Sequence, residues 1–260
     1  MPTTETIFRL QPPLAVLTFN RPAARNAITW AMYQALAEAC DRVDADADVR
    51  VFILCGAGGH AFAAGSDIAQ FTHFQSAGDG IAYERRISDV LDRLAAVTRP
   101  TIAQIQGVAA GAGCVIAAAC DLRIATPEST FGVPSARTLG NCLSQASLER
   151  LIDLVGPGHV KDMLFTGRLF SAEEARAAGL LTRIVPGDRL EAEVQALAMT
   201  IASNAPLTIR ATKIMMSRLA AGRRGETDIR DLLELCYGSD DFREGVSAFL
   251  AKRPPRWTGK

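Results

Sequence analysis

Residues 107–121 read GVAAGAGCVIAAACD. The first half is built of glycine and alanine, and the second is apolar enough to be a buried helix. Small residues leave the backbone open to a neighbour, and a helix start leaves its first N–H groups without intrahelical partners. The stretch therefore reads as a turn that presents backbone donors to an anionic oxygen. At the helix start, Cys114-Val115-Ile116-Ala117 carries no acid or base, and its one nucleophile is the thiol of Cys114. Upstream, TIAQIQG (101–107) reads as a strand, and downstream DLRIAT (121–126) reads as another buried strand. A second stretch repeats the logic. VRVFILCG (49–56) is a continuous apolar run closed by glycine, and GAGGHAFAAGSDIAQF (56–71) follows it with small residues at Ala63, Ala64, Gly65 and Ser66. Two such strand–turn–helix junctions facing each other supply the two donors of an oxyanion hole.

Neither turn has the G-x-G-x-x-G of a dinucleotide site or the G-x-x-x-x-G-K-[ST] of a P-loop, and no G-x-S-x-G elbow is present. Around the turns, LAVLTFN (14–20) reads as a strand, and TWAMYQALAEACDRV (29–43) spaces Met32, Leu36, Ala39 and Val43 as one helix face. GDGIAYERRISDVLDRLAAV (78–97) is amphipathic, with Ile87, Val90, Leu91 and Leu94 as its stripe. Strands alternating with helices imply a layered α/β fold with parallel strands. After about residue 143 helices dominate. SAEEARAAG (171–179) carries a capping-box pair, Ser171 and Glu174, and a stop at Gly179. Helical patterns continue over 190–204, 206–221 and 226–238. The reading is an α/β core over 1–195 that holds the site, followed by a helical region over 196–260.

The 260 residues are 48% hydrophobic, with 28 basic and 28 acidic side chains. That balance gives no electrostatic reason to expect nucleic acid as a partner. Six cysteines without Cys-x-x-Cys, mostly in apolar surroundings, read as reduced buried thiols. Three histidines lack ligand spacing, so no metal is expected. No apolar run reaches membrane length and no secretory leader is evident, so the expected location is the cytoplasm.

The ordered blocks RPAARNAI (21–28), GAGGHAFAAGSDI (56–68), IQGVAAGAGCVIAAACDLRIA (105–125), TFGVP (130–134), AEEARAAGLLTRIV (172–185) and SDDFREGVSAFLAKRPPRW (239–257) resemble the crotonase superfamily, the enoyl-CoA hydratase/isomerase family. The resemblance runs from about Leu14 to Trp257. It implies a ClpP-like spiral core of ββα units, a helical C-terminal trimerisation region, an acyl-CoA thioester substrate with coenzyme A as part of that substrate rather than a separate cofactor, and a homotrimer or dimer of trimers. It places the oxyanion-hole amides at Ser66 and Ala112, the latter where the family usually has glycine. Arg25, Ala27, Ala64, Asp67 and Ile68 fall where the family lines its CoA pocket. Phe249 and Lys252 match positions that approach CoA across a subunit interface. Gly111, Pro134, Arg137 and Asn141 complete the candidate substrate contacts.

The sequence departs from the family at its chemistry. The two glutamates that place and deprotonate water in the hydratases correspond here to Val115 and Ser135. Valine transfers no proton, and an unassisted serine hydroxyl is too weak a base at neutral pH. The next loop is one residue longer, with Ala136 to Leu139 before Gly140, and Asn141-Cys142-Leu143-Ser144 stands in place of a Pro-Gly turn. Three functions stay open at this point. The chain is an acyl-CoA hydratase/isomerase homologue with altered chemistry, decarboxylation or thioester cleavage included. It is a catalytically weak acyl-CoA-binding homologue. Or it is a ClpP-like serine protease, which would need a histidine where none lies between Ser135 and His159.

Overall fold

The computed structural model describes residues 5–223, 230, 234 and 237–256. Its centre is the run Val51–Gly56, strand β3 in a numbering where β1 is Thr6–Gln11 and β2 is Leu14–Phe19. Every residue from Val51 to Leu54 is buried, because both faces of the sheet are covered. Phe52 and Leu54 enter the main core, while Val51 and Ile53 enter a second cluster on the opposite face. The two-residue alternation of a strand thus feeds two apolar layers.

Three repeats of strand, strand and helix follow. The first is β3, β4 (Ala61–Ala64) and α2 (Ala77–Ala95), preceded by α1 (Trp30–Ala45). The second is β5 (Thr101–Ile105), β6 (Val108–Ala110) and α3 (Ala112–Ala119). The third is β7 (Leu122–Ala125) and β8 (Thr130–Gly132), then the single turn α4 (Ser135–Thr138) and the long α5 (Gln145–Thr166). The first strand of each repeat joins one sheet and the second strand joins another. With β9 (Phe170–Ser171) and β10 (Arg183–Ile184), the sheets run β1-β2-β3-β5-β7-β10 and β4-β6-β8-β9. Pairing is parallel except at β1–β2 and β8–β9. This is the spiral of ββα units that the family resemblance implies.

The strands expected over 14–20, 49–56, 101–107 and 121–126 are β2, β3, β5 and β7. The short strands β4, β6 and β8 and the edge strand β1 are additional to that reading. Helix α6 (Ala172–Ala177) has the expected box, with the Ser171 N–H donating to Glu174 Oε2 at 2.8 Å and the Glu174 N–H to Ser171 Oγ at 3.2 Å. Helix α7 (Leu190–Ala202) lays Leu190, Val194 and Ala198 on the outer face of the first sheet. The division expected at 195 falls inside this helix, which belongs to the core because it covers Val51, Ile53 and Ile102. Helices α8 (Pro206–Arg223) and α9 (Asp240–Leu250) complete the described chain. Most of the helical pattern over 226–238 lies outside the described residues, as does Trp257.

Candidate active site

The second sheet sets the geometry of the site. Ala64 on β4 pairs with Ala110 on β6, and Ala110 pairs with Gly132 on β8. Two residues beyond the first pair, past the ends of both strands, come Ser66 and Ala112, the latter the first residue of α3. The crossing is close. A Cβ added at Gly111 would sit 3.4 Å from the Gly65 Cα, and Gly111 itself has a φ of 52°, a region an L side chain rarely adopts. At Gly113 an added Cβ would lie 2.0 Å from the Ala63 carbonyl oxygen. The glycines of the turn let the first turn of α3 pack directly on β4.

Both residues line the cavity, and the backbone bonding around them leaves their N–H groups unused. Ser66 forms a bridge with Ile28, but that bridge uses the Gly65 carbonyl and the Asp67 N–H, and the Ser66 N–H takes no part. Ala112 is the first residue of α3, where an N–H has no intrahelical partner. The Ser66 hydroxyl is tied back, 3.0 Å from the Tyr33 hydroxyl and 2.5 Å from the Tyr83 hydroxyl. At the far end of α3, the buried Arg123 guanidinium donates to the Ala117 and Cys120 carbonyls from Nη1, at 3.2 and 2.5 Å, and to Leu180 from Nε at 2.5 Å. A cation on the negative end of the helix satisfies its orphan carbonyls, and so the helix is anchored at the end opposite the site.

The cavity these elements enclose has about 830 Å³ of empty space and opens to solvent. Ser66, Ala112, Val115 and Ser135 all line it, as do Ala64, Ile68, Gly111, Pro134, Asn141 and Phe249. Its remaining wall is largely apolar, from Phe71, Ile87, Leu91 and Leu143. Arg25, Ala27 and Asp67 lie outside this lining on the adjoining segment, where the Ala64 N–H donates to the Arg25 carbonyl at 3.0 Å. The Asp67 carboxylate accepts from the Ala69 N–H at 3.1 Å and pairs with Arg21 at 2.9 Å, so it caps the 3-10 helix Ile68–His73.

Arg137 is exposed on α4 and is not among the residues that line the cavity. Phe249 lines the cavity of its own chain from α9. Its Phe242 packs on Phe71 and Tyr237, at centroid distances of 6.1 and 4.9 Å. Lys252 is exposed just past the end of α9, at a φ of 53°.

Several lining residues were absent from the candidates, and Glu84 on α2 bears on the chemistry most: it is buried and is the one carboxyl of the lining among the described residues. Its Oε1 accepts from the Tyr237 hydroxyl at 2.5 Å, and the Ser144 N–H also donates to it. Burial pushes its pKa up to about 7, against the pull of those two donors. The signal was present: Glu84 stands three residues before Ile87 and seven before Leu91, on the apolar stripe of an amphipathic helix. Burial also raises the Tyr33 and Tyr83 hydroxyls well above their ordinary value and the Cys114 thiol to about 12, so none of them ionises near neutrality.

The family model for enoyl-CoA hydratase/isomerase matches residues 10–260. The chain belongs to this family. As an enoyl-CoA hydratase/isomerase family member it is an enzyme of a group that acts on acyl-CoA thioesters. It is 34% identical to the crotonyl-CoA hydratase of Syntrophomonas wolfei over 98% of either chain. It is 34% identical to the 2,3-dehydroadipyl-CoA hydratase of Escherichia coli, over 99% of this chain and 100% of that one. Among solved structures, it matches a methylmalonyl-CoA decarboxylase complexed with 2S-carboxypropyl-CoA at a TM-score of 0.90, with 27% identity over 100% of both chains. An enoyl-CoA hydratase/carnithine racemase from Magnetospirillum magneticum matches at 0.81, with 34% identity over 99% of this chain and 97% of that one.

Proposed function

We propose that this enzyme holds an acyl-CoA thioester with its carbonyl oxygen between the Ser66 and Ala112 amides and works through the enolate, without the two-carboxylate addition of water. The observation that carries the reading is the pair of residues Ser66 and Ala112, just past the paired strand ends Ala64 and Ala110, lining one cavity with Val115 and Ser135 in place of acids. Donors fixed where charge develops lower the barrier to an enolate. The apolar wall suits a hydrocarbon acyl chain. A second reading, decarboxylation of a carboxylated acyl-CoA, is favoured by the backbone likeness to methylmalonyl-CoA decarboxylase, which exceeds that to the hydratase/racemase structure despite lower identity. It uses the same oxyanion hole and needs only one proton returned to carbon. The reading includes assembly as a homotrimer or dimer of trimers.

The test is Ala112→Pro. Proline is tolerated at the first helical position and removes only an N–H that the helix does not use. Exchange of the α-protons of butyryl-CoA with solvent deuterium, followed by NMR, is expected to slow by roughly a hundred- to a thousand-fold. An unchanged rate in a folded variant contradicts the assignment.

A further inference from the structure

We propose that Glu84 is the group that takes a proton from the acyl chain and returns it, acting alone where the hydratase pattern has two glutamates. The assignment rests on the acyl-CoA reading above and deepens it. Among the described residues no histidine, lysine, aspartate or second glutamate lines the cavity. The lining offers Tyr33, Tyr83 and Glu84 as its ionisable groups of ordinary acid–base use, and both tyrosines are held neutral by burial.

The carboxyl is also built in. Helix α2 carries Gly80 one turn before Glu84, and an added Cβ there would lie 2.0 Å from the Tyr237 ring. The missing side chain is the space into which Tyr237 packs, and from there its hydroxyl reaches Glu84. Asn141 Nδ2 stands 3.5 Å behind, as donor to the same hydroxyl. The Ser144 N–H comes from the lengthened loop. Three separate segments thus fix one carboxyl at the wall of the acyl chamber. Among the described residues no cation pairs with it, so an acid stands on an apolar stripe at a desolvation cost without an ion-pair return.

The step balances without a further reagent. The Glu84 carboxylate takes a proton from the carbon next to the thioester carbonyl, and the C–H pair becomes the enolate. Its charge rests on the oxygen between the Ser66 and Ala112 amides. The neutral Glu84 acid exchanges its proton with solvent through the open cavity and then returns one to carbon. The titratable groups that face Glu84 are Tyr33 from α1, Tyr83 from its own helix and Tyr237 from the C-terminal region, all raised by burial. A single ionisation therefore shapes the rate. Exchange rises with pH through about 7 and levels above it.

The experiment measures deuterium exchange at the α-carbon of butyryl-CoA with the full-length enzyme, alongside calorimetric binding of the same ester. Glu84→Gln is expected to bind butyryl-CoA as the wild type does and to exchange roughly a hundred- to ten-thousand-fold more slowly. Tyr237→Phe removes a donor to the carboxylate and is expected to move the pH midpoint of exchange upward. Glu84→Gln exchange within a few-fold of wild type overturns the assignment, as does a loss explained wholly by weaker binding. If Glu84→Gln does not fold, an unmoved midpoint in Tyr237→Phe overturns it. A wild type that binds the ester but exchanges nothing overturns it while leaving the binding site standing. A wild type that binds no CoA ester overturns the acyl-CoA reading itself.

Discussion

At the residue scale, the burial of Glu84 has a consequence for stability that is separate from catalysis. Its folded pKa of about 7 lies above the 4.5 of an unburied glutamate. Between those values the folded chain keeps a proton that the unfolded chain has released, so stability from this group falls as pH rises across that window and the loss is complete above it. Glu84→Gln has no proton to lose. Its stability relative to wild type is expected to grow by a few kcal/mol between about pH 5 and about pH 8 in chemical denaturation. Parallel pH dependences would contradict the burial and its cause. Much of the site was legible residue by residue. Ser66, Ala112, Val115 and Ser135 all meet at one cavity, because each belongs to a motif with its own local geometry. Glu84 was not legible, because an acid among Ile87, Leu91 and Leu94 resembles one more polar position of an amphipathic helix until its tertiary partners are known. Tyr33 escaped for the same reason, since its link to Ser66 spans 33 residues.

At the element scale, what was legible followed burial. Strands β2, β3, β5 and β7 are apolar runs in the interior of the first sheet, and their composition announces them. Strands β4, β6 and β8 are three or four residues long and rich in alanine and glycine, which carry little strand preference. They form because β5 and β7 hold their repeats in register and bring the short runs side by side. That second sheet sets the distance between the two amides, so the least readable strands position the most readable motif. Edge strand β1 alternates intermediate and exposed positions and pairs on one side only, so its composition is weakly apolar. The boundary expected at residue 195 cuts helix α7, because a change to helical patterning says nothing of where a helix packs; its inner face completes the second apolar cluster.

At the scale of the whole molecule, the repeats explain why one chain builds a two-donor site. Equivalent positions of successive ββα units lie next to each other, and each contributes one amide. The outside is less finished than the inside. Phe165 is 77% exposed and Leu207 75%, and Met216, Met215 and Leu250 are exposed as well. In the proposed homotrimer these residues are available for contact with other subunits. Light scattering at micromolar concentration is expected to give a trimer of the 27.8 kDa chain, or twice that assembly, and a monomer would contradict the homotrimer reading. The proposed enzyme keeps an oxyanion hole at Ser66 and Ala112 while Val115 and Ser135 stand in place of the paired acids for water addition. The rate of crotonyl-CoA hydration, read as loss of enoyl absorbance beside a two-glutamate hydratase, reports on that difference. The expected rate is at least roughly a hundred-fold lower than that of the comparison enzyme, the contribution of positioned acid–base groups. A rate within about tenfold would contradict the claim, since one carboxyl at Glu84 would then be placing and deprotonating water as well as a pair does.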